Sequence, residues 1–308
     1  MNKKLILLLC ILCGALTNLH SQTNAIELKT EYDDQNKLTI KAHKSLPGSY
    51  YLEIDFKEIS NSSGFNSSLY RKVIKFSGDV LSITPTNRDS RPVVRYSYRY
   101  WRGNPEPNPD TTFVYRLPYS ESIVREVRSL YLIGGSYSAH NNINWHNMEF
   151  IMQQNDTIYA ARTGIVIDIK QTDSDEDTSH SSGRVTYRKS VNSILVEHED
   201  GTYANYSVLD SIFVSVGNRI HPDGPIGIAG SYDGENYQLR LSLYYLQIAP
   251  PRSTNPQTTF NYHYFYPVFA TTTGDTKLTM REHYQPAITM ELITREMTRR
   301  EARKYQAR

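Results

Sequence analysis

Two side chains of unlike chemistry stand two positions apart in the stretch YQLRLSLYYL, residues 237–246: Gln238 and Arg240, with Ser242 next at the same spacing. A strand alternates its side chains between faces, so these three share one side while Leu239, Leu241 and Leu243 turn to the other, toward a core. Arginine carries N–H donors and no lone pair; it suits a carboxylate partner and cannot ligate a metal. Glutamine cannot serve as a general base near neutral pH. The histidines that could do such work are scattered. His198 in VEHED closes a strand and is expected as a rim residue, while His180, His221, His263 and His283 fall in loop or tail contexts without mutual spacing. The acids Asp173, Asp175, Glu176 and Asp177 lie in TDSDEDTSHSSG, which lacks the regular ligand spacing and central glycine of a calcium loop and reads as solvated surface.

The elements that must position these residues are β-strands. Tyrosine is unusually frequent, at 24 of 308 residues, the mean hydropathy is -0.54, and Tyr fits pleated, half-wet surfaces. In the first third, alternating runs such as NKLTIKAHKS, SYYLEIDFKEI, RKVIKF and VVRYSYRYW are separated by the turn signals LPGS, NSSGFNSS and GNPEPNPD. Short strands so spaced predict an antiparallel sandwich. The segment RYSYRYWRG is expected to be a sheet face on which arginine stems cover tyrosine rings. TTFVYRLPYSES reads as the last strand before a domain break near Pro118. A second β-rich unit follows, with DTIYAARTGIVIDIKQ, NSILVEHEDGTYANYSVL and VSVGNRIHPDGPIGIAGS ahead of the strand at 237–246, and a tail carries further strands and then one basic helix.

Those three segments of the second unit, over residues 119–249, resemble the lysostaphin or LytM-type zinc endopeptidases that cut peptide cross-links in bacterial peptidoglycan, in a form like that of Bacteroidetes. Gly164, Gly201, Gly217, Gly224, Gly227 and Gly230 fall where such a chain turns. The resemblance implies zinc held by a His, an Asp and the second His of a His-x-His strand. The first His of that strand and another in a Tyr-x-His-Leu segment would handle the proton and the oxyanion, and zinc would bring its bound water to a pKa of about 7. Carried over residue by residue, His140 in SYSAHNN stands for the first ligand and Glu149 in NMEF for the Asp. Gln238 stands for the base, Arg240 for a zinc ligand and Val208 in YSVL for the remaining His. An active site with rearranged ligands would draw on His140, His146 and Glu149. Otherwise the pocket is degenerate, with no zinc, no other cofactor and no catalytic residue. In that case Arg240 is expected to occupy the former metal position and pair with Glu149 through two parallel hydrogen bonds, with His140 and Gln238 at the rim.

The expectation is an all-β protein: signal peptide 1–21, N-terminal sandwich 22–118, LytM-type unit 119–250 and C-terminal extension 251–308. Lys3, Lys4 and the apolar run at residues 5–16 have the layout of a secretory signal, with cleavage expected after Ser21. Lipid attachment at Cys13 is disfavoured by Leu12, where a small residue belongs. Both cysteines, Cys10 and Cys13, would leave with the signal, so the mature chain would use neither disulfides nor thiolate ligands and have no membrane span. There are 34 Lys and Arg against 32 Asp and Glu, and losing Lys3 and Lys4 balances them, which gives no footing for nucleic-acid binding. The function expected is non-catalytic binding of cell-wall peptide or an envelope protein, in the periplasm or at the cell surface, with regulation of a hydrolase as its use. The alternatives are an active zinc endopeptidase and a surface scaffold for adhesion.

Overall fold

Alternating apolar residues build the first half into two short sheets. The strands are β1 (Ile26–Tyr32), β2 (Leu38–Lys44), β3 (Tyr50–Ser60), β4 (Leu69–Ile74), β5 (Gly78–Ile83) and β6 (Val93–Arg102). They pair as β1-β2-β5 and β4-β3-β6. Ile26, Leu38, Ile40 and Ile83 of one sheet are buried with Leu52, Ile54 and Ile74 of the other, giving the predicted sandwich. The computed structural model describes residues 24–110, 112–130, 147–171, 192–249 and 260–307. The expected signal at 1–21, His140, His146, His180 and the acids Asp173, Asp175, Glu176 and Asp177 lie outside the described residues. On β6 the arginines do not lie along the tyrosines. Tyr96, Tyr98 and Tyr100 pack against the core, while Arg99 and Arg71 hold Glu53 from the outer face at 2.6 and 2.8 Å.

The second half contributes β7 (Val114–Arg116), β8 (Arg125–Leu130), β9 (Asn147–Ile151), β10 (Thr157–Tyr159), β11 (Gly164–Lys170), β12 (Asn192–Glu197), β13 (Thr202–Ile212) and β14 (Arg219–Ile220). It continues with β15 (Pro225–Ser231), β16 (Tyr237–Ile248), β17 (Phe260–Tyr264), β18 (Val268–Thr271), β19 (Gly274–Thr276) and β20 (His283–Tyr284). Its main sheet runs β14-β11-β12-β13-β15-β16-β9-β8-β20, with β10 on β15 and β17 on β16. Leu239, Leu241 and Leu243 face the core with Phe150, Tyr206 and Phe269, as their alternation requires. Phe113, Tyr115 and Leu117 are buried in this same core, and β7 pairs in parallel with β18. The strand before Pro118 therefore opens the second core instead of closing the sandwich. At Gly227 β15 approaches β13 so closely that a Cβ would lie 2.4 Å from the Ser211 carbonyl oxygen.

The sandwich rests on one end of the main sheet. Asn104 N–H donates to the Tyr203 hydroxyl at 2.9 Å, Ser49 N–H to Glu197 at 2.7 Å, and Arg102 pairs with Asp168 at 3.2 Å. The tail ends in two helices, α1 (Met290–Thr294) and α2 (Arg299–Gln306), where one was expected. Thr298 caps α2 in a reciprocal box with Glu301, so the chain restarts a helix there instead of continuing one. Glu296, in the intervening turn, reaches Arg162, whose guanidinium is 2.7 Å from Glu296 and 2.8 Å from Asp200, donates to the Tyr115 hydroxyl at 3.1 Å and lies over the Phe113 ring. Among the described residues no helix is long and apolar enough to cross a membrane.

His198 is not the rim residue expected; it is 2% exposed, because the turn to Thr202 folds over it and Tyr115 sets its ring against it. Nδ1 lies 2.8 Å from the Thr163 carbonyl, and Nε2 is without a partner among the described residues. Burial, reinforced by Arg162, lowers its pKa from 6.5 to about 4. The unfolded chain thus takes the proton first, and stability present above pH 6.5 is lost as pH falls toward 4. At about 1.4 kcal/mol per unit, the loss should be roughly 2–3 kcal/mol. His198→Asn, which keeps a donor for Thr163, should flatten that slope in urea unfolding followed from pH 7 to pH 4.5. Equal slopes in the two proteins would refute this account.

Candidate functional site

Register brings the charged residues together. β16 pairs with β9 so that Arg240 faces Glu149, and β8 on the far side sets Arg128 against the same glutamate. Phe150 and Met148 are buried in the core, which turns Glu149 to the opposite face with Gln238, Arg240 and Ser242. Glu149 is 6% exposed. Arg240 Nε donates to Glu149 Oε2 at 3.0 Å. The Gln238 amide, oriented by these contacts, donates from 2.8 Å to Oε2 and 3.1 Å to Oε1. Gln238 is therefore a direct partner of the carboxylate and not a rim residue.

The pair differs from the two-pronged one expected. Arg240 uses one nitrogen on Glu149 and sends Nη1 to the Tyr232 hydroxyl at 2.7 Å, with the guanidinium 4.8 Å from the centre of that ring. Burial raises the Tyr232 pKa although Arg240 opposes it, so this hydroxyl stays protonated near neutral pH and its oxygen accepts from arginine. Tyr232 is held by a tight turn in which Asp233 accepts from the backbone N–H groups of Asn236 and Glu235 at 2.8 and 2.9 Å. Those bonds, Asn236 first, hold the Asp233 carboxyl well below the usual carboxylate range. Ser242 Oγ donates to Asn147 beside the pair.

Val208 lies on the neighbouring strand. Residues before it in β13 pair with β16, Ser207 opposite Arg240, and those after it pair with β15. Val208 sits at this fork, buried, with φ 67. A β-branched residue there is strained, and the fork imposes it. The structure thus joins Glu149, Gln238 and Arg240, places Val208 next to Ser207, and leaves His140 and His146 outside the described residues. Sequence reasoning missed Tyr232 and Arg128. The Asp-Gly turn after Tyr232 was a signal for the first, and the alternation of REVRSL for the second.

No protein-family profile matches the chain, and no curated protein matches it in sequence. Among solved structures it is similar to the SpoIIQ–SpoIIIAH pore-forming complex, at 16% identity over 44% of this chain and 85% of that chain with a TM-score of 0.29. It is also similar to a candidate glycyl-glycine endopeptidase lytM from Ruminococcus gnavus, at 11% identity over 49% and 56% of the two chains, TM-score 0.30. A third is a zinc-containing peptidase from Vibrio cholerae, at 14% identity over 71% and 82%, TM-score 0.26. At such scores the all-β assignment rests on the strands described above.

Proposed function

We propose that the chain is an exported, peptidase-like protein that binds cell-wall peptide on this sheet face without cutting it, and so governs where an active hydrolase works. The observation that carries this reading is the engagement of Glu149 by Arg240 and Gln238. If the LytM resemblance aligns these residues correctly, a dication would meet a carboxylate already neutralised, an arginine that has no lone pair and a glutamine that cannot take a proton. The donor set does not suit zinc, and binding can persist where transition-state stabilisation is gone. The test is co-sedimentation of the purified protein with isolated peptidoglycan, combined with zinc analysis and assay of released cross-link peptides. The expected result is sedimentation, no stoichiometric zinc and no release. Zinc-dependent release abolished by a chelator would overturn the reading, and absence of sedimentation would point to an envelope protein as the partner.

A further inference from the structure

Successive registers line up one row of side chains across six strands on the face that carries Glu149. Lys170 on β11 faces Ser193 on β12, Ser193 faces Ser207 on β13, Ser207 faces Arg240 on β16, and the row continues through Glu149 to Arg128. Directly opposed residues share a face. Three cations thus stand in line with Glu149, and Arg128 is also paired with Glu126 at 3.0 Å, so Lys170 and Arg240 are the two left for a ligand. Lys170 is exposed and makes no hydrogen bond or ion pair among the described residues. It lines a cavity of about 140 Å³ with Ser193, Asn205 and the Tyr244 ring. The one acid there, Asp168, is taken by Arg102 at 3.2 Å. Three strands along the row, Arg240 commits Nε and Nη1 and leaves Nη2 without a partner among the described residues.

We infer that this face takes an extended acidic peptide laid across the strands, with one carboxylate against Lys170 and another against Arg240. The inference rests on the binding reading above and adds the ligand's charge and spacing. Strands about 4.8 Å apart put Lys170 roughly 14 Å from Arg240, and an extended peptide advances about 3.3 Å per residue, so acids roughly four positions apart match the two cations. Residues four apart on an extended chain also point the same way. Ser193, Ser207 and Asn205 lie between the cations and supply hydrogen-bonding groups for the intervening backbone.

The probe is a fluorescently labelled peptide, acetyl-Glu-Ala-Ser-Ala-Glu-amide, titrated with the full protein and followed by anisotropy at low and physiological ionic strength. It should bind about tenfold more tightly than the counterpart in which Gln replaces one Glu, the difference expected of one charge-assisted hydrogen bond, and more tightly than a peptide with its two acids adjacent. Lys170→Gln should remove about a tenfold factor for the acidic peptide alone, with unchanged thermal unfolding because Lys170 supports nothing else. Equal binding of the three peptides, or an unaltered Lys170→Gln protein, would overturn the inference. If peptidoglycan sediments the protein while no acidic peptide binds, the charge and spacing are wrong and the wall-binding reading survives. If the peptide binds but peptidoglycan does not, the wall-binding reading falls and the site stands.

Discussion

Replacing Arg162 by methionine is expected to destabilise the protein by about 3–5 kcal/mol, the cost of removing one partner from a buried ionic cluster. Arg162 is 3% exposed and joins three distant parts of the chain. It bonds the Asp200 turn at 2.8 Å, the Glu296 turn at 2.7 Å and the Tyr115 hydroxyl on β7 at 3.1 Å. Burial alone would raise the Asp200 carboxyl, yet Arg162 holds it below its ordinary value. Without the guanidinium, two carboxylates would face each other in a partly dry site with nothing between them. Arg162→Lys should recover only part of the loss, because a point charge cannot serve Asp200, Glu296 and Tyr115 at once. Urea unfolding measures the effect, and protease sensitivity of α1 and α2 reports whether the tail comes loose. A loss below about 1 kcal/mol would place this cluster with weak surface pairs.

The second large effect is expected at Arg240. Arg240→Ala strands the Glu149 carboxylate on a nearly closed face, for about 3 kcal/mol. In a Glu149→Gln background the same change should cost far less, because a neutral amide can share bonds with Gln238. The cycle should give a coupling of about 1–3 kcal/mol. Tyr232→Phe removes only the hydroxyl that accepts from Nη1 and should cost about 1 kcal/mol. Additive energies for Arg240 and Glu149 would mean that the bond at 3.0 Å contributes nothing to stability.

How much of this was legible in the sequence depends on the range of the interaction. The core face of β16 was visible because alternation of Leu239, Leu241 and Leu243 is local. The attraction between Glu149 and Arg240 could be anticipated from the positions that the LytM resemblance gives them, together with their opposite charges. Its geometry could not, since Tyr232 competes for the guanidinium from a five-residue connection that has no periodicity. Nothing local in AARTG marks Arg162, since its partners lie 38 and 134 residues further on. The burial of His198 likewise depends on Tyr115, far away in the chain. The second β-domain's start was misplaced because an apolar strand has the same pattern whichever core receives it. Only the pairing of β7 with β18 assigns it.

That parallel pairing also orders events in time. A chain that emerges from its N-terminus can close the β1–β6 sandwich early, since its strands lie within one stretch of sequence. The larger core cannot close then. Phe113, Tyr115 and Leu117 cannot be fully covered until Phe269 has been synthesised and delivered to them, and contacts of such long sequence separation form slowly. During that interval the nascent segment is a natural client for a holding chaperone, because exposed aromatic strands associate readily. A chain cut short before β18 would lack the strand that completes this core, so a truncated product would be cleared as unfolded material.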